Sequence, residues 1–353
     1  MTLGTRRVKS KWRPTVTQPT MRQVAERAGV SIALVSLVMR EAPNVSDYRR
    51  QLVVDAAAEL GYRPNVLARN LASRRTNTIG VVLNDLHNPF FAEIIDGLQN
   101  AADAAGHQVL IGNGRHSKAG ESEMLETFLQ FRVDGLVLVG STASLSTIEA
   151  AAQITPLVAV GRTTRSKKFD TVNTDDKLGA RLAVEHLLAL GHSRIAHIDG
   201  GSGAGARARR EGYAASMTTV GMADHISVAR GDFSEIGGYK AARELLSRRQ
   251  VPTAIFVAND LSAVGALDRA EEAGFCVPTD MSIVGYDNTS LAATHHLSLT
   301  TINQPREELG RLAFQSLLER LKSGRTAAVH RVVAPSLVKR RTSGPVHSRE
   351  QAR

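Results

Sequence analysis

The 353-residue chain is 42% apolar, enough for sizeable cores, and carries a formal charge of +10. Its single cysteine, Cys276, excludes an internal disulfide and a cysteine-rich zinc site, and no apolar run reaches the length of a membrane span. The charge is unevenly placed: residues 1–75 hold 14 Lys and Arg against 5 Asp and Glu, whereas the other 278 residues hold 30 against 29. A basic head on a neutral body implies a nucleic-acid module joined to a unit of another kind.

Residues 1–19 read as a disordered basic tail. No apolar core follows the basic stretch Arg6 to Arg13, so it is not a secretory signal, and a cytoplasmic location is expected. Thr20 is placed to cap a first helix over about Met21–Ala28, with Gln23 completing a capping box. Gly29 supplies a turn, Ser31 caps a second helix running to about Met39, and Ser46 caps a third that ends near Gly61. Leu52, Val53, Ala56, Ala57 and Leu60 fall on one face of that third helix. Helix, tight glycine turn and second helix over residues 20–63 form the pattern of a helix-turn-helix DNA reader.

From Thr76 the pattern changes. Thr78–Leu83, Gln108–Gly112, Gly135–Val139 and Leu157–Val160 read as buried parallel strands, with helices near Phe90–Ala105, Ser122–Phe131 and Leu145–Ala152 between them. The alternation restarts after a helix at Lys177–Leu190 with Ile195–Ile198, Ile226–Ala229, Ala254–Ala258 and Ile283–Gly285. A late helix, Pro305–Leu321, carries the chain back. Two successive βα arrays predict an α/β core of two subdomains, with a ligand cleft between the C-terminal ends of their strands.

Specific strings sharpen this reading. Val24-Ala25, Ala28-Gly29-Val30-Ser31, Val35-Ser36, Val45-Ser46, Leu60-Gly61-Tyr62-Arg63-Pro64-Asn65 and Ala68-Arg69-x-Leu71 resemble the headpiece and hinge of the lac-repressor (LacI/GalR-type) family of bacterial transcription regulators. Asn88-Pro89-Phe90-Phe91, Gly191-His192, Arg207-x-Arg209-x-x-Gly212-Tyr213, Asn259-Asp260, Gly285-Tyr286-Asp287 and Thr300-Thr301-Ile302-Asn303-Gln304-Pro305 resemble the periplasmic-binding-protein-like effector domain of the same family. The resemblance implies a three-helix headpiece at 20–63, a hinge helix within 64–76, and an effector core at 77–341. One subdomain would hold about 77–173 and 304–333, the other 174–303 and 334–341, with a short polar tail at 342–353.

It further implies a regulator rather than an enzyme, probing for a pseudo-palindromic operator as a homodimeric repressor. A small molecule, a sugar or related polar metabolite, would switch it from the cleft, with no cofactor and no membrane. DNA contacts are then expected at Thr20, Arg22, Ser31, Ile32, Ala33, Ser36, Leu37, Arg40 and Arg49 in the head. In the hinge they fall at Asn65, Ala68, Arg69 and Leu71, the last as an apolar wedge in the minor groove. Effector contacts are expected at Asn88, Phe90, Phe91, Arg162, Arg209, Phe233, Asn259, Asp287 and Gln304.

The chain departs from the family pattern at several places. Leu37 stands where the family usually carries arginine, so bidentate arginine–guanine contact is lost there. Ile32, Ala33 and Leu37 instead offer apolar contact, thymine methyls included, and weak DNA specificity is the alternative reading. Gly161 precedes Arg162 where sugar-binding members often carry aspartate. Gly201 to Ala206 matches Gly-x-Gly-x-x-Ala, but it lies in mid-chain and no acidic residue ends the next strand. A nicotinamide-dependent enzyme is therefore the weaker rival.

Overall fold

The computed structural model describes residues 19–40, 42–63 and 76–346. Nearly all of the basic tail and the hinge, with Asn65, Ala68, Arg69 and Leu71, lies outside the described residues, as does the end of the 342–353 tail. The chain divides into two compact units, Met1–Thr76 and Asn77–Arg353.

The first unit is built from α1 (Met21–Ala28), α2 (Ile32–Val38) and α3 (Asp47–Leu60). The capping box forms as the residues dictate: Gln23 N donates to Thr20 Oγ1 at 3.4 Å, and Thr20 N donates to Gln23 Oε1 at 2.8 Å. Leu34 N donates to Ser31 Oγ at 3.2 Å. Ser46 occupies the third cap position without a side-chain bond. Val24, Val35 and Val53 are completely buried and meet at the centre of a small core with Ala25, Val38, Ala56 and Ala57.

The second unit holds two six-stranded sheets. In chain order its elements are β1 (Thr78–Leu83), α4 (Pro89–Ala104), β2 (Gln108–Asn113), α5 (Lys118–Gln130), β3 (Gly135–Val139), α6 (Leu145–Ile154), β4 (Leu157–Val160) and β5 (Asp170–Thr174). Then follow α7 (Asp176–Ala189), β6 (Ile195–Ile198), α8 (Ala206–Thr219), β7 (Ser227–Ala229), α9 (Glu235–Leu246), β8 (Ala254–Val257), α10 (Asp260–Glu272) and β9 (Ser282–Asp287). The chain closes with β10 (Thr300–Asn303), α11 (Arg306–Ser323), β11 (His330–Val333) and β12 (Ser336–Val338).

One sheet has the order β11-β5-β4-β3-β1-β2 and is wholly parallel; the other runs β12-β10-β9-β8-β6-β7, with β12 antiparallel. The chain passes between the two layers three times, after β5, after β10 and after β11. The return helix α11 lies against α4 because glycine stands at each crossing point. A Cβ on Gly97 would meet Glu307 O at 2.1 Å, and one on Gly310 would meet Ile94 O at 1.9 Å. Leu309, Ala313, Phe314 and Leu317 of α11 then complete the core of the first lobe.

Two sequence expectations need correction. β2 was expected to be buried, yet it is an edge strand whose Leu110 and Ile111 are exposed. β5 and β10 carry too many polar residues to read as buried strands, and β11 and β12 are short edge strands that went unread. In β5 the charge is met from elsewhere in the chain: Asp170 is fully buried and pairs with Arg320 at 2.7 Å and Arg325 at 2.6 Å.

His197 in β6 makes the second lobe acid-sensitive. It is fully buried, stacked on Phe256 and Tyr213, with Nδ1 2.9 Å from Phe256 O and Nε2 without a hydrogen-bond partner. Burial holds its pKa down from 6.5 to about 4. As pH falls through that window the unfolded chain takes up a proton that the folded chain refuses, so stability is lost. The full effect is roughly 3 kcal/mol. Urea melts at pH 7 and pH 4 should show that extra loss in the parent and not in His197→Phe, which starts about 1 kcal/mol lower because Phe256 O loses its donor.

Candidate functional site

Between the two sheets of the second unit lies a cavity of about 540 Å³. Its lining follows strand ends: Asn84 after β1, Gly140 after β3, Gly161 after β4, Thr174 in β5, Gly200 after β6, Arg230 after β7, Asn259 after β8, Asp287 in β9 and Gln304 after β10. Parallel βα units gather these ends at one edge of each sheet, which is where such folds place ligands.

The first lobe contributes a mainly aromatic wall. Asn88 is buried and caps α4, its Oδ1 accepting from Phe90 N at 3.0 Å. That cap sets Phe90 and Phe91 edge to face, with centroids 5.4 Å apart. Both rings are half-buried, pack on the lobe core and line the cavity.

The second lobe contributes charge. Arg209 is buried, 2.8 Å from Asp176 and 3.7 Å from Asp287. Its Nη1 donates to Ala258 O at 2.5 Å, and its guanidinium lies 3.8 Å from the centroid of the Tyr286 ring. Burial works against its charge, but Asp176, Tyr286 and Asp287 outweigh burial and hold its pKa above the ordinary arginine value. Tyr286 donates to Asp176 Oδ1 at 3.1 Å.

Asp287 takes a hydrogen bond from Gln304 Nε2 at 2.7 Å, and burial pushes its pKa up. Its backbone is held at φ 115 and that of Asn288 at φ 55, a strained pair for residues with side chains. The turn is pinned from several sides. Arg306 Nη1 donates to Asp287 O, Asp260 accepts from Thr289 N at 2.7 Å, and Glu93 of the first lobe accepts from Ser290 N at 2.8 Å and from Arg306 Nε at 2.5 Å.

Phe233 covers this group from the side, its ring seated on Gly200 and Gly203, where a Cβ would lie 2.2 and 2.5 Å away. Asn259 fixes it. Nδ2 of Asn259 donates to Phe233 O at 3.0 Å while Oδ1 accepts from Ser262 N at 2.9 Å to cap α10. Asn259 is thus a cap and a support as well as part of the lining.

Of the residues expected to face a ligand, Asn88, Phe90, Phe91, Arg209, Phe233, Asn259, Asp287 and Gln304 line the cavity. Arg162 is not in the lining: its Nη1 donates to Ala143 O at 2.7 Å and Ser141 O at 3.3 Å. The resemblance and its place after β4 pointed it at the cleft, whereas its guanidinium donates to the carbonyls of the loop after β3. Asp85, His116, Asp176, Arg230, Lys240 and the Gly200–Gly205 loop line the cavity without having been anticipated. The glycine-rich string that suggested a dinucleotide site is this loop. Among the described residues no cluster of metal-ligand side chains occurs, and no helix is long and apolar enough to cross a membrane.

In the first unit, Ser31, Ile32, Ala33, Leu37, Arg22, Arg40 and Arg49 are exposed and Ser36 is half-buried. Thr20 stands exposed at the cap of α1. The described residues bring Ile32, Ala33, Ser36 and Leu37 onto one face of α2.

Residues 20–65 match the model of bacterial regulatory proteins of the lacI family, and residues 184–343 match a periplasmic binding protein-like domain. The chain is 36% identical over 331 residues to the HTH-type transcriptional repressor PurR of Erwinia tasmaniensis, covering 92% of this chain and 96% of that one. It is 36% identical over 325 residues to the repressor CytR of Escherichia coli, covering 91% and 95%. Among solved structures, the lac repressor dimer bound to operator and the anti-inducer ONPF aligns with a TM-score of 0.83 at 31% identity, over 93% of this chain and all of that one. A transcriptional regulator from Enterococcus faecium with bound ribose aligns with a TM-score of 0.70 at 30% identity, over 76% of this chain and all of that one.

Proposed function

The chain belongs to the lacI family of bacterial regulatory proteins, and on that premise we propose that it is a repressor switched by a neutral polyhydroxylated metabolite, a sugar or close derivative, held in the interlobe cavity. The observation that carries the choice of ligand is the state of Arg209. Asp176 already pairs with it at 2.8 Å and Asp287 stands 3.7 Å away, so little of its charge is left for a carboxylate or phosphate. Asp176, Asp287 and Gln304 present acceptors and donors for vicinal hydroxyls, and Phe90, Phe91 and Phe233 cover the apolar faces of a ring. Arg230 and Lys240 at the lining are matched in number by Asp85 and Asp232, so these four add no net charge that would favour an anion. The ribose-bound neighbour supports the same ligand class.

In this reading residues 20–63 read DNA, 64–76 form the hinge and 77–341 hold the effector. Arg22, Arg40 and Arg49 touch phosphates around α2, and Asn65, Ala68, Arg69 and Leu71 serve the hinge contact. The active species is a cytoplasmic homodimer on a two-fold operator. The lac repressor dimer supports that assembly, as does the apolar exposed edge of β2, where Leu110 is 39% and Ile111 48% exposed. Relatives named as repressors favour this over any nicotinamide-dependent enzyme.

A thermal-shift panel of neutral sugars, sugar phosphates, sugar acids and nucleosides tests the ligand class. A neutral sugar at about a hundred times its Kd should stabilise the core by about 2.7 kcal/mol, a melting shift of a few degrees. The same sugar should alter operator retention in a gel-shift assay. A panel in which only anionic compounds shift the melt sinks the polyol reading.

A further inference from the structure

The outward side of α2 has almost no hydrogen-bonding chemistry. Helical spacing puts Ile32, Ala33, Ser36 and Leu37 on one face, while Val35 and Val38 are buried on the other. Ile32 is 46% exposed and Leu37 40% exposed. From residue 32 to residue 39, Ser36 has the sole hydroxyl, and no amide, guanidinium or carboxylate side chain occurs. Arg40, next in line, turns Nε back onto Ser36 O at 3.1 Å. The head therefore presents an aliphatic ridge where a DNA reader ordinarily carries base-edge hydrogen bonders.

The charge of the sequence around the helices says what covers the ridge. Residues 1–75 carry 14 basic against 5 acidic side chains, which favours a polyanion over a neutral protein surface. On the base edges of the major groove the apolar group is the C5-methyl of thymine. Cytosine presents the same group once methylated at C5.

We propose that α2 reads its site through pyrimidine C5-methyl groups, with Ile32, Ala33 and Leu37 as the specificity-determining residues. Thymine and 5-methylcytosine are accepted alike; uracil and unmodified cytosine are rejected. This rests on the reading of the head as a DNA module and names what that module recognises. Each methyl taken from water against an aliphatic side chain strengthens binding about fourfold, so several across two half-sites give on the order of a hundredfold.

The test uses the intact protein and a random duplex pool. Selection yields preferred sites, which are then rebuilt with deoxyuridine at single thymines of the half-site. Expected is a loss of about fourfold at each contacted position. At those positions 5-methylcytosine paired with guanine should bind within about twofold of thymine, and plain cytosine several-fold more weakly. Leu37→Arg should lose the uracil effect at its own position and gain a preference for guanine. Because Leu37 is exposed, circular dichroism should show an unchanged head; Ile32→Ser is the second variant should it not. Deoxyuridine sites that bind as tightly as thymine sites, while base changes there still weaken binding, overturn the methyl reading and leave the DNA module standing. A pool from which no sequence is enriched overturns the methyl reading in favour of weak DNA specificity, and that outcome appears before any uracil is introduced; a protein that retains no duplex at all overturns the DNA module as well.

Discussion

Arg209→Ala is expected to remove the effector response and to destabilise the core by about 3 kcal/mol, because it leaves half-buried Asp176 and buried Asp287 without the cation beside them. Asp176 loses its ion pair, Asp287 the guanidinium 3.7 Å away, and the Tyr286 ring the cation above it. The loss should depend on pH in a defined direction. Burial already pushes Asp287 up to about 8, against an ordinary 3.8. Removing the arginine raises it further. A carboxyl whose folded pKa exceeds its unfolded value gives full stability below the unfolded value and loses it as pH rises through the folded one. The gap between parent and variant should therefore be smallest near pH 5 and widen toward pH 8.5. Urea melts across that range, with calorimetry of the sugar found by the thermal-shift panel, check both parts. A variant that melts like the parent and binds that sugar normally removes Arg209 from the site.

Much of the chain's architecture was legible because local rules act on neighbouring residues. Thr20 and Gln23 cap α1 through a three-residue spacing, and Ser31 caps α2 in the same way. β1, β3 and β4 are almost wholly apolar and can only be interior strands. β5 was not legible, because its burial depends on arginines about 150 residues away on α11 and the loop after it. β2 misled for the opposite reason: an apolar strand at a sheet edge has the same sequence as one at the centre.

The cavity divides along the same line. The alternation marks a cleft at the strand ends, and the resemblance picked out Phe90, Phe91, Asp287 and Gln304 there. Asp176 and Tyr286 acquire meaning only through Arg209, and Asp176 meets those partners across 33 and 110 residues of sequence. Arg162 shows the limit of resemblance and strand position. Its strand end faces the cleft, but two carbonyls within reach of its guanidinium decide where the side chain goes.

Deleting residues 1–76 should abolish DNA binding and leave a folded core that still binds its sugar. The division of the chain at Thr76 and the separate cores on either side of it support this. The finer expectation comes from where the charge sits. Residues 20–63, which contain the three helices, hold 6 basic and 5 acidic side chains. Residues 1–19 hold 5 basic and no acidic ones, and residues 64–75 hold 3 and none. The helices that choose a sequence are thus almost neutral in sum, and most of the net positive charge lies in the segments flanking them. Deleting residues 1–19 alone should therefore keep site preference and weaken binding to every duplex alike. If all five of those cations meet phosphates, the slope of log affinity against log salt should fall by about 4. Between 50 and 200 mM salt the parent would then lose on the order of a hundredfold more affinity than the shortened protein. Titrations of a selected site and of a scrambled duplex across that range decide it. Equal slopes for the two proteins would mean that the tail meets no phosphate, and that the arginines around α2 and in the hinge carry the binding.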